Sequence, residues 1–491
     1  MLFDSLPFVI FFVAIFFLYF TVPHRWQKWL LLAGSCYFYM AFVPQYILVL
    51  FFLITVDYFL GIKMEQSVGK RRLLFLIVSI ASNVGLLFFF KYFNFFNQNI
   101  GALAQAIHWN YSLESLAIIL PLGLSFHTFQ SLAYIIEVYK GRFHAERNYG
   151  TYALYVMFFP QLVAGPIERP AHLLPQLRIA HGFNYDHAIS GLKTMLWGFF
   201  KKIAIANNLA ILVDFVYAHL ATSNGSTVAL AVFAFAIVLY ADFSGYSDIA
   251  VGSARMLGIE LTQNFRRPYF SQSIAELWRR WHISLSSWFR DYVYSPLVWK
   301  WRDRGIWWMY GAIIITFLLT GVWHGAGWNF VMMGLLFGFF ICAGLWTKTF
   351  REKMWSIAGI GPRNIVRIIV GIGITFILTS ITWIFFRAQD LSQALLVLET
   401  LFTRWGPDAF SYLTCSNYCA MYAIGIGRTT FAITGISVAI MFAYELFREL
   451  NLTVPKFWYH RSVRCPLYYV FILWMLFAGY FAPMTFIYFK F

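Results

Sequence analysis

Charged side chains are scarce in this chain: Asp, Glu, Lys and Arg make up only 12% of its 491 residues. Hydrophobic residues make up 60%, and the mean hydropathy is +0.66. A water-soluble domain of this length has to cover its large surface with polar groups, and so few charges cannot do that. The scarcity argues against a soluble globular protein and predicts that lipid surrounds much of the chain.

Acidic residues are scarcer than basic ones: the chain has 21 Asp and Glu and 37 Lys and Arg, which gives a net charge of +16. In a membrane protein such an excess holds loops in the cytoplasm and attracts anionic lipid. We therefore expect membrane lipids and no nucleic acid as partners. A cytoplasmic anionic donor, such as a phosphate-bearing thioester carrier, is compatible with the charge.

Cysteine is also rare, and the five cysteines form no metal-ligand pattern, so no metal site is predicted. Cys415 and Cys419 are close enough for an extracytoplasmic disulfide, although this spacing is a weak signal. The sequence lacks a P-loop, a dinucleotide fingerprint, HExxH and GxSxG. These absences argue against transport driven by ATP, and we expect no tightly bound cofactor.

Apolar stretches of about 20 residues, the length that crosses a bilayer, recur along the whole chain. The pattern predicts an all-α polytopic membrane protein with about 11–13 tilted transmembrane or re-entrant helices. Residues 7–22 lack a basic region before them, so they are a first span rather than a cleavable signal. The candidate spans are 7–22, 28–44, 46–61, 73–95, 113–136, 150–166, 190–215, 228–257, 309–323, 328–347, 365–386, 429–447 and 467–488.

Basic residues alternate between the connections and predict an orientation. The connections 23–28, 62–72 and 140–148 carry Lys and Arg, whereas those near 45 and at 97–112 carry none. Because Lys and Arg accumulate in cytoplasmic loops, the N-terminus is predicted to be extracytoplasmic.

His324 is the first residue that could carry chemistry. It lies in an apolar stretch of 36 residues, Gly311 to Trp346, which is too long for one span and short for two spans with a loop. Glycines at 321, 325 and 327 predict a helix break at His324, inside the protein. A polar group at membrane depth is costly, and an imidazole there could serve as a general base. A structural histidine bonded to a nearby carbonyl is the alternative.

The polar segment 259–308 holds a second histidine. Its sequence AELWRRWHISLSSWFRDYVY predicts one amphipathic helix lying in the membrane interface or dipping into the protein. Its apolar stripe consists of Trp278, Trp281, Leu285, Trp288 and Tyr292. His282 borders this stripe, where it could position a thioester carbonyl or could simply be an interfacial histidine. A plain surface anchor is the alternative for the whole segment.

Two further segments interrupt apolar stretches with polar residues. In LYADFSGYSDIAVGSARMLG, residues 239–258, Asp242, Tyr246 and Asp248 could line a substrate tunnel or lock helices together. Asp248 and Arg255 share a helical face and could pair. In FFPQLVAGPIERP, residues 158–170, the prolines break the helix, and Glu168 is expected at the exit from the membrane.

At these places the sequence resembles the membrane-bound O-acyltransferase family. The matching stretches are FFPQLVAGPIERP, YADFSGYSDIAVGSARMLGIELTQNFRRPYFSQSIAELWRRWHISLSSWFRDYVYSPL, GVWHGAGWNFVMMG and TWIFFRAQDLSQAL, in the family's order. The likeness is to the bacterial branch of alginate O-acetyltransferases and D-alanyl transferases. It implies one membrane domain over 1–491, with a motif-bearing core at about 120–395 and peripheral spans at 1–112 and 396–491.

The resemblance also implies a site and a reaction. The family has a ring of tilted helices around a tunnel, with a buried histidine at His324 and a second one at His282. Expected tunnel-lining residues are Asp242, Tyr246, Asp248, Trp281, Trp323 and Asn329, and expected donor-binding residues are Arg279 and Arg280.

The implied reaction moves acetyl from acetyl-CoA or another cytoplasmic thioester to an extracytoplasmic glycan. An exported serine-hydrolase-like partner completes the transfer, and the bacterial cytoplasmic membrane is the implied location. D-alanyl transfer to teichoic acid-like polymers, a transporter without covalent chemistry and a scaffold with a decayed site are the alternatives.

Overall fold

The computed structural model describes residues 1–116, 120–121, 123–163, 165–405, 424–453, 455, 460–482 and 486. Helices form the structure throughout this part of the chain, which contains no β-strand, and the predicted all-α class is confirmed. Cys415 and Cys419 lie outside the described residues. Cys36, Cys342 and Cys465 are free thiols.

The helices of the first half of the chain include some that are too short to span a bilayer. They are α1 Leu6–Thr21, α2 His24–Met40, α3 Tyr46–Glu65, α4 Gly69–Leu87, α5 Phe93–Ala106, α6 Leu124–Tyr139, α7 Tyr149–Met157, α8 Pro170–Arg178, α9 Tyr185–Phe199, α10 Asn207–Ala218 and α11 Gly225–Met256. π-helical turns at Phe88–Tyr92 and Phe200–Ala206 join α4 to α5 and α9 to α10.

The second half begins with a series of very short helices. Its helices are α12 Ile274–Arg280, α13 Ile283–Phe289, α14 Ser295–Trp301, α15 Ile306–His324, α16 Trp328–Trp346, α17 Lys348–Ile357, α18 Ile365–Arg387, α19 Leu391–Thr403, α20 Arg428–Glu449 and α21 Arg461–Ala478. A third π-helical turn, Arg290–Tyr294, joins α13 to α14.

Seven helical segments in the described part of the chain are long and apolar enough to cross a membrane. They are α3, the continuous segment Gly69–Ala106, α11, α15, α16, α18 and α20. The protein is therefore a multi-pass membrane protein, as predicted. The candidate span 150–166 is shorter than expected, because α7 ends at Met157 and Pro160 follows it in an irregular but buried stretch.

The chain forms two compact units, and α9 and α11 contribute to both. The first unit comprises residues 1–196 and 246–263, and the second comprises 197–245 with the described residues of 264–490. A single domain over the whole chain stays a prediction. In the first unit, Phe3, Phe8, Phe38 and Phe159 form a ring-packed core. There the buried carboxylate of Asp57 accepts hydrogen bonds from the side chains of Ser79 and Asn83.

A tight hairpin of α15 and α16 organises the second unit, and α18 packs along α16. The two helices approach at small residues: a methyl group on Gly321 would lie 2.3 Å from the carbonyl oxygen of Phe330, and one on Gly334 would lie 2.3 Å from that of Phe317. Backbones can come this close only where side chains are absent.

The predicted amphipathic helix over residues 275–294 is wrong as one continuous element. α12 ends at Arg280, and α13 begins at Ile283, with His282 between them in the left-handed conformation, φ +41°. A left-handed residue cannot continue a right-handed helix, so the chain turns there. Trp278, Trp281 and Trp288 are buried by protein rather than spread along a lipid-facing stripe.

Candidate active site

His324 is the last residue of α15 and is 4% exposed. The helix ends there because Gly325 is extended, and a methyl group at position 325 would lie 2.1 Å from the Phe330 ring. The imidazole lies between two aromatic rings, with its centroid 4.7 Å from that of Trp323 and 5.3 Å from that of Phe386. The predicted helix break and burial of His324 are therefore confirmed.

His282 is fully buried, so the interfacial interpretation of this residue is wrong. Its Nδ1 lies 3.4 Å from Oδ1 of Asn264, and its ring packs edge-on against Phe243 at 4.7 Å. Asn264 also fixes the turn, because its carbonyl oxygen accepts from the Ile283 N–H at 2.8 Å and its Oδ1 accepts from the Ser284 hydroxyl at 2.7 Å. Burial lowers the pKa of His282, because desolvation disfavours the imidazolium, and the ring is neutral at physiological pH.

One indole joins the two histidines. The ring centroid of Trp323 lies 6.2 Å from that of His282 and 4.7 Å from that of His324. Residues some forty positions apart in the sequence thus share one aromatic neighbour. Trp281, beside His282, extends the aromatic surroundings through contacts with Trp383 at 5.2 Å and Phe265 at 5.1 Å.

Asn329 lies near the same place and bonds to backbone. Its side-chain amide donates to the carbonyl oxygens of Phe385 at 3.1 Å and Ala388 at 2.9 Å, and the residue is 1% exposed. These bonds join the start of α16 to the end of α18. They hold in position the Phe386 ring, which contacts His324.

Asp242 is buried and forms an ion pair with Lys202, with 2.7 Å between Oδ1 and Nζ. The neighbouring Lys201 donates to the Ser244 hydroxyl at 2.8 Å. Both lysines lie in the π-helical turn after α9. A buried carboxylate without a cation would be strongly destabilising, so Lys202 is what allows Asp242 at this depth. Sequence reasoning missed both lysines, although two adjacent Lys in the apolar stretch 190–215 were a readable signal.

Tyr246 and Asp248 belong to the first unit, whereas the two histidines belong to the second. Tyr246 is buried and stacks on Phe3, with ring centroids 4.4 Å apart. Asp248 is half-buried. The proposed Asp248–Arg255 pair is wrong, because Arg255 forms its ion pair with Glu260, with Nε 2.8 Å from Oε1.

A cavity of about 490 Å³ opens in the second unit, and neither His282 nor His324 lines it. Thr320, one turn before His324 on α15, lines it, and so does Ile283, the residue after His282. The rest of its wall is mostly aromatic and aliphatic and includes three arginines. These remaining residues are Arg266, Ala275, Trp278, Arg279, Leu285, Ser286, Ser287, Phe289, Arg290, Tyr294, Ile313, Thr316, Phe317, Ile341 and Leu345. An apolar cavity with a few charged groups is the usual form of a small-molecule site.

The two predicted donor-binding arginines differ in their surroundings. Arg280 is half-buried and forms ion pairs with Glu276 at 2.7 Å and Glu449 at 2.9 Å. Arg267 also pairs with Glu449, at 2.6 Å. This network joins the segment before His282 to α20. Arg279 is exposed and lines the cavity, so of the two it is the one available to an anionic ligand.

The sequence matches the model of MBOAT, the membrane-bound O-acyltransferase family, over residues 144–382. That range contains both histidines, Trp323 and every residue that lines the cavity, and it ends just before Trp383 and Phe386. Relatives that are more than 30% identical extend over nearly the whole chain, and the chain belongs to the membrane-bound O-acyltransferase family. It is therefore an O-acyltransferase enzyme embedded in a membrane.

Relatives with assigned activities fall into three groups. A peptidoglycan O-acetyltransferase of Helicobacter pylori is 31% identical, covering 100% of this chain and 98% of its own length. A probable alginate O-acetylase of Azotobacter vinelandii is 34% identical over 93% of this chain and 88% of its own length. A teichoic acid D-alanyltransferase of Bacillus subtilis is 29% identical over 52% of this chain and 65% of its own length.

Proposed function

We propose that this enzyme transfers an acetyl group from a thioester donor to hydroxyl groups of an extracytoplasmic glycan. The observation that carries the proposal is the pair of buried histidines, His282 and His324, which share Trp323 as a neighbour. Relatives that acetylate peptidoglycan or alginate support acetyl as the group and a glycan as the acceptor.

The proposed step uses His324 as general base. The imidazole takes the proton of the acceptor hydroxyl as its oxygen attacks the thioester carbonyl. A C–O bond forms, the C–S bond breaks, and the proton passes to the departing thiolate, so the products are an ester and a free thiol. His282 assists at the thioester: in the tautomer with its proton on Nε2, the neutral ring donates a hydrogen bond to the oxyanion that develops on the carbonyl. Its position is then set by the turn that Asn264 fixes, through the bonds from the Ile283 N–H and the Ser284 hydroxyl.

The donor occupies the cavity of the second unit in this proposal. Trp278, Phe289 and Phe317 supply apolar surface for the arm that bears the thioester. Arg279 and Arg290 supply positive charge for its phosphate groups, which suits acetyl-CoA or another phosphate-bearing acyl thioester. Ile283, next to His282 in the sequence, and Thr320, one turn before His324, line this cavity.

The acceptor side rests on the relatives and on the family resemblance. We propose an envelope polysaccharide or peptidoglycan as the final acceptor and a bacterial cytoplasmic membrane as the location. An exported serine-hydrolase-like partner completes the transfer, so the hydroxyl that attacks the thioester belongs to a serine of that partner or to the glycan itself. In this arrangement the donor enters from the cytoplasm and the acceptor hydroxyl from the other side. The N-terminus then lies outside the cytoplasm.

Substitution of the two histidines tests the proposal. His324→Ala is expected to lower the acetyl ester content of the purified envelope glycan by at least about a hundredfold, the usual contribution of a general base. His282→Asn is expected to lower it less, because Asn keeps a hydrogen-bond donor. The measurement is mass spectrometry of the glycan, and immunoblotting checks that each variant is present in the membrane in equal amount.

His219→Ala is the matched control, because the His219 side chain is exposed, contacts Phe215 one turn earlier and does not line the cavity. It should leave ester content unchanged. Unchanged ester content in His324→Ala would refute the catalytic role. D-alanyl esters in place of acetyl esters in the unmodified strain would refute acetyl transfer. A purified protein that transports solute without consuming labelled acetyl thioester would refute the enzymatic step.

A further inference from the structure

A second cavity, of about 450 Å³, lies in the first unit, which does not contain the histidine pair. Its wall combines buried apolar side chains with polar and basic ones. Tyr19, Leu31, Leu154 and Ile259 form the apolar part, each at most 2% exposed. The start of α2, the segment 146–154 and the end of α8 supply the polar part. The cavity is large enough for a small ligand or a lipid headgroup.

Two cations in this wall have no carboxylate partner. Within the part of the chain that the structure describes, neither Arg25 nor Lys28 forms an ion pair. Lys28 bonds instead to neutral oxygens, Oδ1 of Asn148 at 3.1 Å and the Thr151 hydroxyl at 3.3 Å. These contacts hold the ammonium group against two other residues of the cavity wall, Asn148 and Thr151, and neither of them neutralises its charge.

The one carboxylate in the wall is already neutralised. Glu146 is 5% exposed and pairs with Arg178 at 2.7 Å, and it also accepts from the Asn148 N–H at 2.9 Å. Its negative charge is therefore shared with Arg178 rather than with Arg25 or Lys28. The cavity therefore keeps a net positive charge from Arg25 and Lys28.

Neutral side chains hold this wall in a fixed shape. The amide of Gln27, 4% exposed, donates to the carbonyl oxygens of Tyr19 at 3.1 Å and His181 at 3.0 Å. The His181 N–H returns a bond to Gln27 Oε1 at 3.3 Å. The start of α2 is thus tied to the segment after α8, and the positions of Arg25 and Lys28 are set by buried bonds.

Two exposed tryptophans on the same turns of α2 indicate the level of this cavity relative to lipid. Trp26 is 54% exposed and Trp29 is 46% exposed. Tryptophan collects at the boundary between lipid tails and headgroups, where its ring is half apolar and half hydrated. Two exposed tryptophans beside the cavity therefore favour a position at the height of phospholipid headgroups for its cations.

We propose that this cavity binds the phosphate group of an anionic phospholipid. Arg25 and Lys28 contact the phosphate, and Leu31, Leu154 and Ile259 contact the glycerol and the first carbons of the tails. Basic pockets on a membrane protein at headgroup level bind anionic lipid through these terms. The site is separate from the reaction proposed above and does not depend on it.

Native mass spectrometry of the purified full-length protein tests the site. Phosphatidylglycerol is titrated into detergent-solubilised protein, in parallel with phosphatidylcholine and inorganic phosphate. One phosphatidylglycerol is expected to bind with preference over phosphatidylcholine. The double variant Arg25→Gln/Lys28→Gln is expected to bind it at least about tenfold more weakly, as the loss of two cations near a phosphate requires.

The matched control is Lys353→Gln/Arg363→Gln, which removes two exposed cations outside this cavity and should leave phosphatidylglycerol binding unchanged. Arg25→Lys keeps the charge and should restore most of the binding, which separates loss of the site from loss of the fold. Equal binding of both lipids, equal binding by the double variant, or saturation by inorganic phosphate or coenzyme A in place of lipid would overturn the proposal.

Discussion

Glu168 shows how one side chain can join two distant loops. It is fully buried, and its carboxylate accepts from the Thr262 N–H at 2.5 Å, the Thr262 hydroxyl at 3.1 Å and the His172 ring at 2.6 Å. The sequence predicted Glu168 at the membrane exit. Its depth in the membrane stays a prediction, but its burial could not be predicted, because the bonds that make burial favourable come from a residue 94 positions away.

The same contact predicts a pH dependence. The hydrogen bond to Glu168 raises the pKa of His172 above its ordinary value of 6.5. The stabilisation that protonated His172 gives to the folded protein is therefore fully present below about pH 6.5. It is lost as the pH rises through the raised pKa of His172. The melting temperature in detergent should fall between pH 6 and pH 8.5, and His172→Gln should flatten that fall.

His219→Gln serves as the control for this measurement, since the His219 ring is exposed and bonds to the Phe215 carbonyl rather than to a carboxylate. It should keep the slope of the unmodified protein. A slope in His172→Gln equal to that of the unmodified protein would contradict the assignment.

At the scale of elements, the α15–α16 hairpin positions His324. Helix α15 ends where the glycines allow the turn, and α16 packs against it where Gly321 and Gly334 bring the backbones together. The sequence predicted this element well, because its length and its glycines are local signals. It did not predict the turn at His282, because that turn depends on Asn264, which is 18 residues earlier.

The glycine contact can be tested with two substitutions in one helix. Gly321→Ala places a methyl group 2.3 Å from the Phe330 carbonyl oxygen and should destabilise the protein by about 1–3 kcal/mol. Because the hairpin carries His324, acyl transfer should fall as well. Thermal unfolding in detergent and transfer of labelled acetyl are the measurements.

Gly311→Ala is the control, because nothing lies within 4 Å of a methyl group at that position of α15. It should leave stability unchanged or raise it by about 0.5–1 kcal/mol, the ordinary gain of Ala over Gly in a helix. Equal effects of the two substitutions would show that the close approach does not matter.

For the whole molecule, hydropathy was sufficient to predict an all-α multi-pass protein, and motif order was sufficient to predict its family. The burial of polar groups was harder to predict, since it depends on partners brought together only by folding. Lys202 beside Asp242 is the clearest example, because each alone in an apolar stretch would be destabilising. Hydropathy measures each segment separately and carries no information on such pairs.

The orientation of the whole molecule gives a further prediction. The continuous segment Gly69–Ala106 separates Val68, which is 84% exposed, from the exposed Asn110. In a background with its five cysteines replaced by serine, Asn110→Cys should react with an impermeant thiol reagent in intact cells. Val68→Cys should react only after permeabilisation, because basic connections stay in the cytoplasm.

Permeabilised cells supply the control, since both cysteines should then react. The reversed pattern would contradict the predicted orientation, and reaction of both cysteines in intact cells would contradict a single crossing by Gly69–Ala106.

The left-handed backbone at His282 limits how this position can change over generations. Apart from glycine, the residues that adopt this conformation most readily are asparagine and aspartate. Both are reached from either histidine codon by changing its first base alone, whereas glycine needs two changes. Mutation can therefore exchange the imidazole for an amide or a carboxylate in one step while the turn is kept. The peptide turn is in this sense more durable than the side chain that it presents.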